Sequence, residues 1–307
     1  MVHVPVLAAE AIDWLRVRED GTYVDCTAGA GGHASLIAER IPRGRLIALD
    51  RDLGAVERVR ARLGGYPQAK VIHRNYSELA GVLSEEGIER VDGILIDAGL
   101  SSIQIDTPGR GFTFQEDGPL DMRMDPSRGP TAAEFLAEVD EGALAGILKE
   151  YGDVRMAKRI AAAIVARRQR GALGTTRDLV GAVSEALPFV KGVPDETRTV
   201  FQAIRIAVND ELGGLETAMH GAIDVLAPGG RLVVISFHSG EDRIVKNALR
   251  DASRTQRELH PDGRVKQAHP PRVKVLTPGT VTPGDEELRM NPRSHSARLR
   301  AAEKLEE

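Results

Sequence analysis

A glycine-rich loop between an apolar segment and a helix-prone segment constrains the fold of this chain most strongly. The apolar run Tyr23-Val24-Asp25-Cys26 leads into Thr27-Ala28-Gly29-Ala30-Gly31-Gly32-His33, and residues 34–39 favour a helix. Glycine tolerates positive φ and lets a ligand lie against bare backbone, while the first turn of a helix offers free N–H groups. The order strand, loop and helix predicts a nucleotide-type binding site, the alternative being an ordinary turn.

Further short apolar runs alternate with helical patterns along the chain. Runs at 44–50, 69–73, 91–97 and 231–237 predict strands that follow the first strand, residues 23–26. Strands that alternate with helices are typical of the α/β class. The sequence therefore predicts a doubly wound, mostly parallel sheet.

This alternation is interrupted in the middle of the chain. Residues 103–130 resemble a long loop rich in Pro and Gly, and the patterns that follow are helical, including a helix that starts at the capping box Thr175-Thr176-Arg177-Asp178. We expect one sheet split by a mainly helical insertion that recognises the substrate. The predicted bounds are residues 1–105 and 206–307 for the core and 106–205 for the insertion.

The charges are unevenly distributed although the net charge is only −4. Residues 243–274 hold nine Lys or Arg and three acids, and residues 154–174 hold six bases and no acid. These two basic stripes indicate contacts with phosphates. The alternative is that they are the solvated faces of helices and a loop. Residues 251–294, rich in Pro, Gly, Arg and His, are predicted to form an extended basic loop.

The cysteine content and the hydropathy of the chain limit the cellular compartments in which we expect the protein. Cys26 is the only cysteine, so the chain can form no internal disulfide and no multi-cysteine metal cluster. The first residues lack a basic region followed by an apolar one, and no run of about 18 apolar residues occurs. We therefore expect a cytoplasmic protein with no membrane partner.

The glycine loop formally matches the dinucleotide pattern G-x-G-x-x-A, which makes a nicotinamide or flavin enzyme one alternative. However, Asp25 would place a carboxylate beside a pyrophosphate, and the chain shows no second mononucleotide-binding half. Like charges a few ångströms apart repel by roughly several kcal/mol when partly desolvated. S-adenosylmethionine, with a ribose, an adenine and a cationic amino-acid end, would instead be attracted by Asp25.

Polar residues that follow the other predicted strands suit the same ligand. Asp50 can accept hydrogen bonds from both ribose hydroxyls, or it can cap the next helix. Tyr76 can cover the adenine or belong to the core. Asp97 ends an apolar strand at the mouth of the sheet, where carboxylates are often functional, and Gln104 is a hydrogen-bonding group just beyond it.

Several longer motifs resemble those of the bacterial ribosomal RNA small subunit methyltransferase H family, also called MraW. The resemblance runs nearly end to end and rests on the following runs: His3-Val4-Pro5-Val6-Leu7, Ala28-Gly29-Ala30-Gly31-Gly32-His33, Leu49-Asp50-Arg51-Asp52, Asp97-Ala98-Gly99-Leu100-Ser101-Ser102, Arg110-Gly111-Phe112-Thr113-Phe114, Asp117-Gly118-Pro119-Leu120-Asp121-Met122-Arg123-Met124-Asp125-Pro126, Ser236-Phe237-His238-Ser239-Gly240-Glu241-Asp242-Arg243 and Asn291-Pro292-Arg293-Ser294. The chain departs from the usual family residues at Tyr76, Ala98, Leu100, Gly240 and His295. None of these changes removes a proposed ligand.

The resemblance implies transfer of a methyl group from S-adenosylmethionine to N4 of a decoding-centre cytosine in 16S rRNA. Its partner would be this RNA within the small subunit or a late assembly intermediate, and a homodimer is left open. The cofactor contacts that it implies are Gly31, Gly32, His33, Asp50, Tyr76, Asp97 and Gln104. A catalytically silent RNA-binding factor is disfavoured, because this ligand set is intact.

Cytosine N4 is a poor nucleophile, so we expect a group that accepts its hydrogen while the base is held out of its helix. Asp97, or a backbone carbonyl after it, is the candidate acceptor, and the alternative is that Asp97 only holds the cofactor. Phe112 or Phe114 would stack on the base. Arg123 and Arg243 are further candidate substrate contacts, and His238 is a candidate proton acceptor or a structural group.

No metal site is predicted. Asp117, Asp121 and Asp125 do not have calcium-loop spacing, and Arg110 and Arg123 offer them ion pairs instead.

Overall fold

The two ends of the chain fold together around one sheet, and the middle of the chain forms a separate unit. A computed structural model describes residues 5–259 and 265–306. The core unit comprises Met1–Gly99 and Leu212–Glu307, and the inserted unit comprises Leu100–Glu211. The sequence placed the ends of the insertion at residues 106 and 205. His3 and Val4, part of the first family motif, lie outside the described residues.

The elements are numbered along the chain. The strands are Thr22–Asp25 (β1), Arg45–Asp50 (β2), Ala69–His73 (β3), Val91–Asp97 (β4), Leu226–Ser236 (β5), Gln256–Leu259 (β6), Val265–His269 (β7), Val273–Val275 (β8) and Arg298–Lys304 (β9). The α-helices are Ala8–Leu15 (α1), Gly32–Ala38 (α2), Leu53–Arg62 (α3), Leu79–Glu85 (α4), Ser102–Ile105 (α5), Ala132–Glu138 (α6), Glu141–Gly152 (α7), Ala157–Gln169 (α8), Thr176–Ala186 (α9), Glu196–Asn209 (α10), Glu211–Val225 (α11), Ser239–Ala252 (α12) and Asp285–Met290 (α13). Short 3-10 turns occur at Tyr76–Glu78, Pro108–Arg110 and Pro292–Ser296.

The core sheet has seven strands in the order β3-β2-β1-β4-β5-β9-β8. Strands β1 to β5 are parallel, and β9 and β8 add an antiparallel edge. This confirms the predicted mostly parallel, doubly wound sheet. The strand order reverses between β1 and β4, and in such sheets ligands bind beyond the carboxyl ends of the strands at this reversal.

The sheet is buried on both faces at its central strands β1, β2 and β4, which explains why these strands read as nearly continuous apolar runs. Val24 and Ile94 belong to the apolar cluster on one face, and Tyr23 and Leu95 belong to the cluster on the other. All four side chains are at most 1% exposed. Strands held on both faces provide a rigid base for the loops at their ends.

The prediction of an extended basic loop at residues 251–294 is wrong. Strands β6 and β7 pair as an antiparallel hairpin, β8 joins the edge of the main sheet, and α13 follows. These strands have only 4, 5 and 3 residues, which is too short for an apolar alternation to mark them in the sequence. Asp262 and Arg264, which belong to the predicted basic stripe, lie outside the described residues.

The inserted unit is mainly helical and has its own apolar core, formed by side chains of α6 to α10 and of the loop before them. Helix α9 begins at the predicted capping box: the Thr175 hydroxyl accepts a hydrogen bond from the Asp178 N–H, and the Asp178 carboxylate accepts one from the Thr175 N–H. An isolated antiparallel bridge joins Pro119 and Thr175. None of the helices in the described ranges is long and apolar enough to cross a membrane.

Candidate active site

The glycine loop follows β1 and ends where α2 begins. Gly29 and Gly31 have φ of +55° and +78°, in the left-handed region that favours glycine. A Cβ on Gly31 would lie 2.9 Å from Cδ of Arg62. The loop therefore requires glycine at this position both for its backbone angle and for the close approach of a neighbouring side chain.

Asp50, at the end of β2, fixes the start of this loop. Its carboxylate accepts hydrogen bonds from the N–H groups of Gly29 (2.7 Å) and Asp52 (2.8 Å). The cap of α3 is Asp52, whose side chain accepts from the Gly54 N–H at 2.9 Å. Asp50 is thus not the helix cap, and burial raises its pKa.

Two carboxylates with unsatisfied oxygens lie at the ends of the adjacent strands β1 and β4. Asp25 is completely buried, and its Oδ1 accepts a hydrogen bond from the Thr27 N–H (3.1 Å), but its Oδ2 has no partner. Oδ1 of Asp97 is also buried without a partner. Thr27 lies between them, since its hydroxyl oxygen accepts a hydrogen bond from the Asp97 N–H (2.6 Å).

The surroundings of these carboxylates disfavour negative charge. Burial raises the pKa of Asp25 to about 7, against the lowering effect of the Thr27 and Ala34 N–H groups. Burial, together with repulsion by Asp25 and Glu241, raises the pKa of Asp97 well above its usual range. An unpaired buried charge costs several kcal/mol. A cationic ligand would pair with the buried carboxylates and remove much of this cost. A cofactor with a positive amino-acid end supplies such a cation.

His33 and Glu241 complete the surroundings of Asp97. Nε2 of His33 lies 3.0 Å from the Val6 carbonyl oxygen, so this nitrogen donates the hydrogen bond. Nδ1 of His33 then faces Oδ2 of Asp97 at 3.8 Å, which is too far for a hydrogen bond. Glu241, which is 2% exposed, accepts hydrogen bonds from the N–H groups of Phe237 and His238.

His238 has a structural position in the fold. It caps α12, which begins at Ser239 despite the neighbouring Gly240, and its Nε2 lies 3.1 Å from Oε1 of Glu241. The sequence pattern did not single out Glu241, because only its burial beside β5 in the folded chain makes it unusual. The only indication of Glu241 in the sequence was its position a few residues after a predicted strand.

The remaining predicted cofactor contacts are distributed over both units. Tyr76 is 8% exposed and contributes to the apolar core below the sheet, and a Cβ on Gly214 would lie 3.6 Å from its ring. Gln104 belongs to the inserted unit, where it is buried in α5 and forms a capping box with Ser101. Gly32, the first residue of α2, is packed so closely that an added Cβ would lie 3.0 Å from the Pro5 ring.

The predicted substrate residues of the inserted unit are more buried than base stacking suggests. Phe112 is 9% exposed and lies under the guanidinium of Arg110, whose Cζ is 5.7 Å from the ring centroid. Phe114 is half-buried and packs against Phe201, with centroids 5.3 Å apart. Arg123 pairs with both carboxylate oxygens of Asp121, at 2.8 and 2.9 Å. In the core unit, Arg243 is exposed on α12.

A buried asparagine holds the loop that carries these residues. Asn209, at the end of α10, accepts a hydrogen bond from the Met124 N–H and donates to the Met122 carbonyl, both at 2.7 Å. Met122 has φ of +57°, an unusual value for a residue with a side chain. Arg110 also donates to the carbonyls of Arg123 and Met124. Asn209 was not among the predicted site residues, since a single polar residue at a helix end gives no signal by itself.

The three spaced acids of this loop have separate partners. Asp121 pairs with Arg123, Asp117 accepts from the Arg177 N–H, and Asp125 accepts from Ser127. Within the described ranges, no group of three or more His, Cys, Asp or Glu residues is arranged to hold a metal ion.

The sequence model of the MraW methylase family matches residues 1–305. The chain belongs to this family. Curated relatives named ribosomal RNA small subunit methyltransferase H include a protein of Methylococcus capsulatus that is 50% identical over 97% of this chain and 99% of its own length. Those of Methylobacillus flagellatus and Geotalea uraniireducens are each 47% identical, covering 98% and 99% of this chain and 94% and 98% of their own lengths.

Membership of the family confirms the resemblance inferred from the motifs. The chain is a methyltransferase, and the family uses S-adenosylmethionine as methyl donor, as the sequence predicted. The fit of this cofactor to the residues present is visible in the core unit, where Asp25 and Asp97 each have a buried oxygen without a partner.

Proposed function

We propose that this protein transfers the methyl group of S-adenosylmethionine to N4 of a decoding-centre cytosine in 16S rRNA of the small ribosomal subunit. The observation that carries the proposal is the pair of carboxylates at the strand reversal, Asp25 and Asp97, each of which has one buried oxygen without a hydrogen-bond partner. A dinucleotide would bring a pyrophosphate to the same place, where two acids repel it. The names of the curated relatives support ribosomal RNA of the small subunit as the substrate.

Each group of the cofactor has a matching group in the chain. Asp25 and Asp97 would attract the positively charged amino-acid end, and Asp50 retains lone pairs for ribose hydroxyls beside its two backbone donors. Tyr76 would lie against the adenine. The further contacts in this proposal are Gly31, Gly32, His33 and Gln104.

When bound, S-adenosylmethionine supplies an electrophilic methyl group on a positively charged sulfur. The exocyclic amine of cytosine is weakly nucleophilic because its lone pair is delocalised into the ring. A carboxylate that accepts an N4 hydrogen bond would localise this lone pair, and it could take up the proton as the N–C bond forms. Asp97 is the group that we propose for this step, because it ends β4 beside the strand reversal and its Oδ1 has no hydrogen-bond partner.

The inserted unit would recognise the RNA in this scheme. Phe114 keeps more ring surface than Phe112 for stacking on the target base. Arg123 and Arg243 would approach phosphates, Arg123 while fixed by Asp121. The substrate would be the small subunit or a late assembly intermediate.

The direct test is methyl transfer to small subunits purified from cells that lack the enzyme. The protein is incubated with these subunits and labelled S-adenosylmethionine, and the modified nucleosides are mapped. We expect one N4-methylated cytosine in the decoding centre. If no N4-methylcytosine forms, the proposal is wrong.

A ligand test separates this proposal from the dehydrogenase alternative. A ligand that binds only the folded protein raises the unfolding temperature. We expect S-adenosylmethionine to raise it and nicotinamide dinucleotides to leave it unchanged. The reverse result would favour an oxidoreductase.

A further inference from the structure

Two segments of the inserted unit are basic and contain no acidic residue. Residues 154–174 and 187–194 together hold seven Lys or Arg and no Asp or Glu. Three of the seven are used inside the unit: Arg167 and Arg170 pair with Glu185, and Arg168 donates to backbone carbonyls. The other four are exposed and form neither an ion pair nor a hydrogen bond with the described part of the chain, namely Arg155, Lys158, Arg159 and Lys191.

These cations accompany an exposed aromatic ring. Phe189, in the loop between α9 and α10, is 67% exposed, and nearby Val193 is 54% exposed. Cζ of Arg159 lies 5.8 Å from the centroid of the Phe189 ring, which links the first turn of α8 to this loop. Phe189 does not belong to the core of the unit, so its exposure is not required to complete the fold.

The chemistry of these residues selects the partner. Unpaired cations bind a polyanion, and an exposed aromatic ring beside them can stack on a flat apolar group. Single-stranded RNA offers both, because its phosphates contact Lys and Arg while its bases stack on aromatic rings. An acidic protein segment would satisfy the cations but would offer no regular partner for the ring.

We propose that the Phe189 surface, consisting of Arg155, Lys158, Arg159, Phe189 and Lys191, binds a single-stranded segment of the ribosomal RNA substrate. One base stacks on Phe189, and the four cations contact neighbouring phosphates. This inference rests on the proposed function for the identity of the RNA. The surface is separate in sequence from the loop of Phe112 and Phe114.

Binding to a labelled oligouridine tests the surface without methyl transfer. Phe189→Leu keeps an apolar side chain and removes the aromatic face, and we expect the dissociation constant to rise about tenfold. Phe189→Tyr restores the face and should bind within about twofold of the wild type. Lys158→Ala with Lys191→Ala should reduce the slope of log affinity against log salt by about 1.4, or about 0.7 for each lost phosphate contact.

Two matched controls remove similar groups elsewhere. Arg170→Ala removes a base from the same helical region that already pairs with Glu185. Met290→Ala removes an apolar side chain that is 71% exposed in the core unit. Neither should change oligouridine affinity, and unfolding temperatures should confirm that all variants fold.

Methylation of small subunits provides a second measurement. We expect Phe189→Leu to raise KM for subunits about tenfold and to leave kcat and the cofactor affinity unchanged.

If the wild type is active and the variants match it in oligouridine affinity and in KM, the inference is overturned while the proposed function stands. If Phe189→Leu weakens binding to subunits but not to the oligouridine, the surface contacts ribosomal protein, and the inference is again wrong. A wild type that binds oligouridine through Phe189 but methylates no RNA would contradict the proposed function alone.

Discussion

The inserted unit and the mouth of the core sheet differ in whether their acidic side chains have partners. In the inserted unit, Asp121 is held by Nε and Nη2 of Arg123, and Asp178 and Glu185 lie beside Arg167. At the ends of β1 and β4, Asp25 and Asp97 are buried with one oxygen each unsatisfied. A paired acid stabilises the structure that contains it, whereas an unpaired buried acid destabilises the free protein and is stabilised by a cationic ligand.

The largest expected effect concerns Asp97. Asp97→Asn keeps the shape of the side chain and removes its charge, so methyl transfer should fall by about 100- to 1000-fold. Steady-state kinetics and cofactor binding should be measured together. A loss of turnover with unchanged cofactor affinity would assign Asp97 as the hydrogen acceptor, and a parallel loss of both would assign it to the cofactor.

Asp121→Asn is the matched control for Asp97→Asn. It removes a carboxylate that already has an arginine partner, so cofactor affinity should not change. Equal losses of cofactor affinity in the two variants would contradict the contrast between paired and unpaired acids.

The next effect concerns the stability of the inserted unit. Asn209→Ala leaves the Met124 N–H and the Met122 carbonyl without their partner, at a cost of roughly 2–4 kcal/mol in the free energy of unfolding. Urea unfolding measures this loss. Gln202→Ala, on the same helix, loses one long hydrogen bond to the Tyr151 carbonyl (3.3 Å) and should cost less than about 1 kcal/mol.

Replacing Asp25 should stabilise the free protein, whereas replacing Asn209 should destabilise it. Its pKa of about 7 in the folded protein exceeds the usual 3.8, so the folded state binds a proton more tightly than the unfolded state. The stability of the free protein should therefore fall as the pH rises through 7, while protection by cationic S-adenosylmethionine should increase. Asp25→Asn should raise the stability of the free protein at pH 8 by about 1 kcal/mol and should weaken cofactor binding.

Thermal unfolding at pH 5.5 and 8.5, with and without S-adenosylmethionine, checks both parts of this prediction. Asp97 and Asp50 also have raised pKa values, so the variant should reduce the pH dependence without abolishing it. The prediction fails if wild type and Asp25→Asn show the same pH dependence.

The smallest effect is expected for an exposed ion pair. Arg170→Ala removes the contact with Glu185, in which both side chains are about half exposed. Such pairs contribute little, and the free energy of unfolding should change by less than about 0.5 kcal/mol. A larger loss in urea unfolding would show that pairing contributes more to the inserted unit than the comparison assumes.

Local patterns were sufficient to predict the parallel part of the fold. Residues 69–73 and 91–97 were predicted as strands, and β3 and β4 have these bounds. Strand β4 is buried on both faces and therefore forms a clear apolar run, whereas β3 is a partly exposed edge strand. The same rule failed at β9, whose charged residues alternate with apolar ones at the antiparallel edge of the sheet. The short strands β6 and β8 gave even less pattern.

For the candidate site, sequence analysis could identify residue types but not their environments. The position of Asp97 at the end of an apolar strand made it a candidate. Its environment also includes Thr27, which accepts a hydrogen bond from its N–H, and Glu241, which repels its charge, and both come from distant parts of the chain. Phe112 and Phe114 were expected to be available for stacking. Their burial follows from packing with residues such as Phe201, which no local pattern reveals.

The split core has a consequence for synthesis. Strand β4 pairs with β5, where Val91 lies beside Leu226, and β5 pairs with β9 near the end of the chain. As the polypeptide leaves the ribosome, the inserted unit is complete before β5 exists, so it can fold first with its own apolar core. Until then β4 has an open edge, and its apolar residues are exposed to aggregation. The pairing of β4 with β5, and of β5 with β9, therefore waits until nearly the whole chain has left the ribosome.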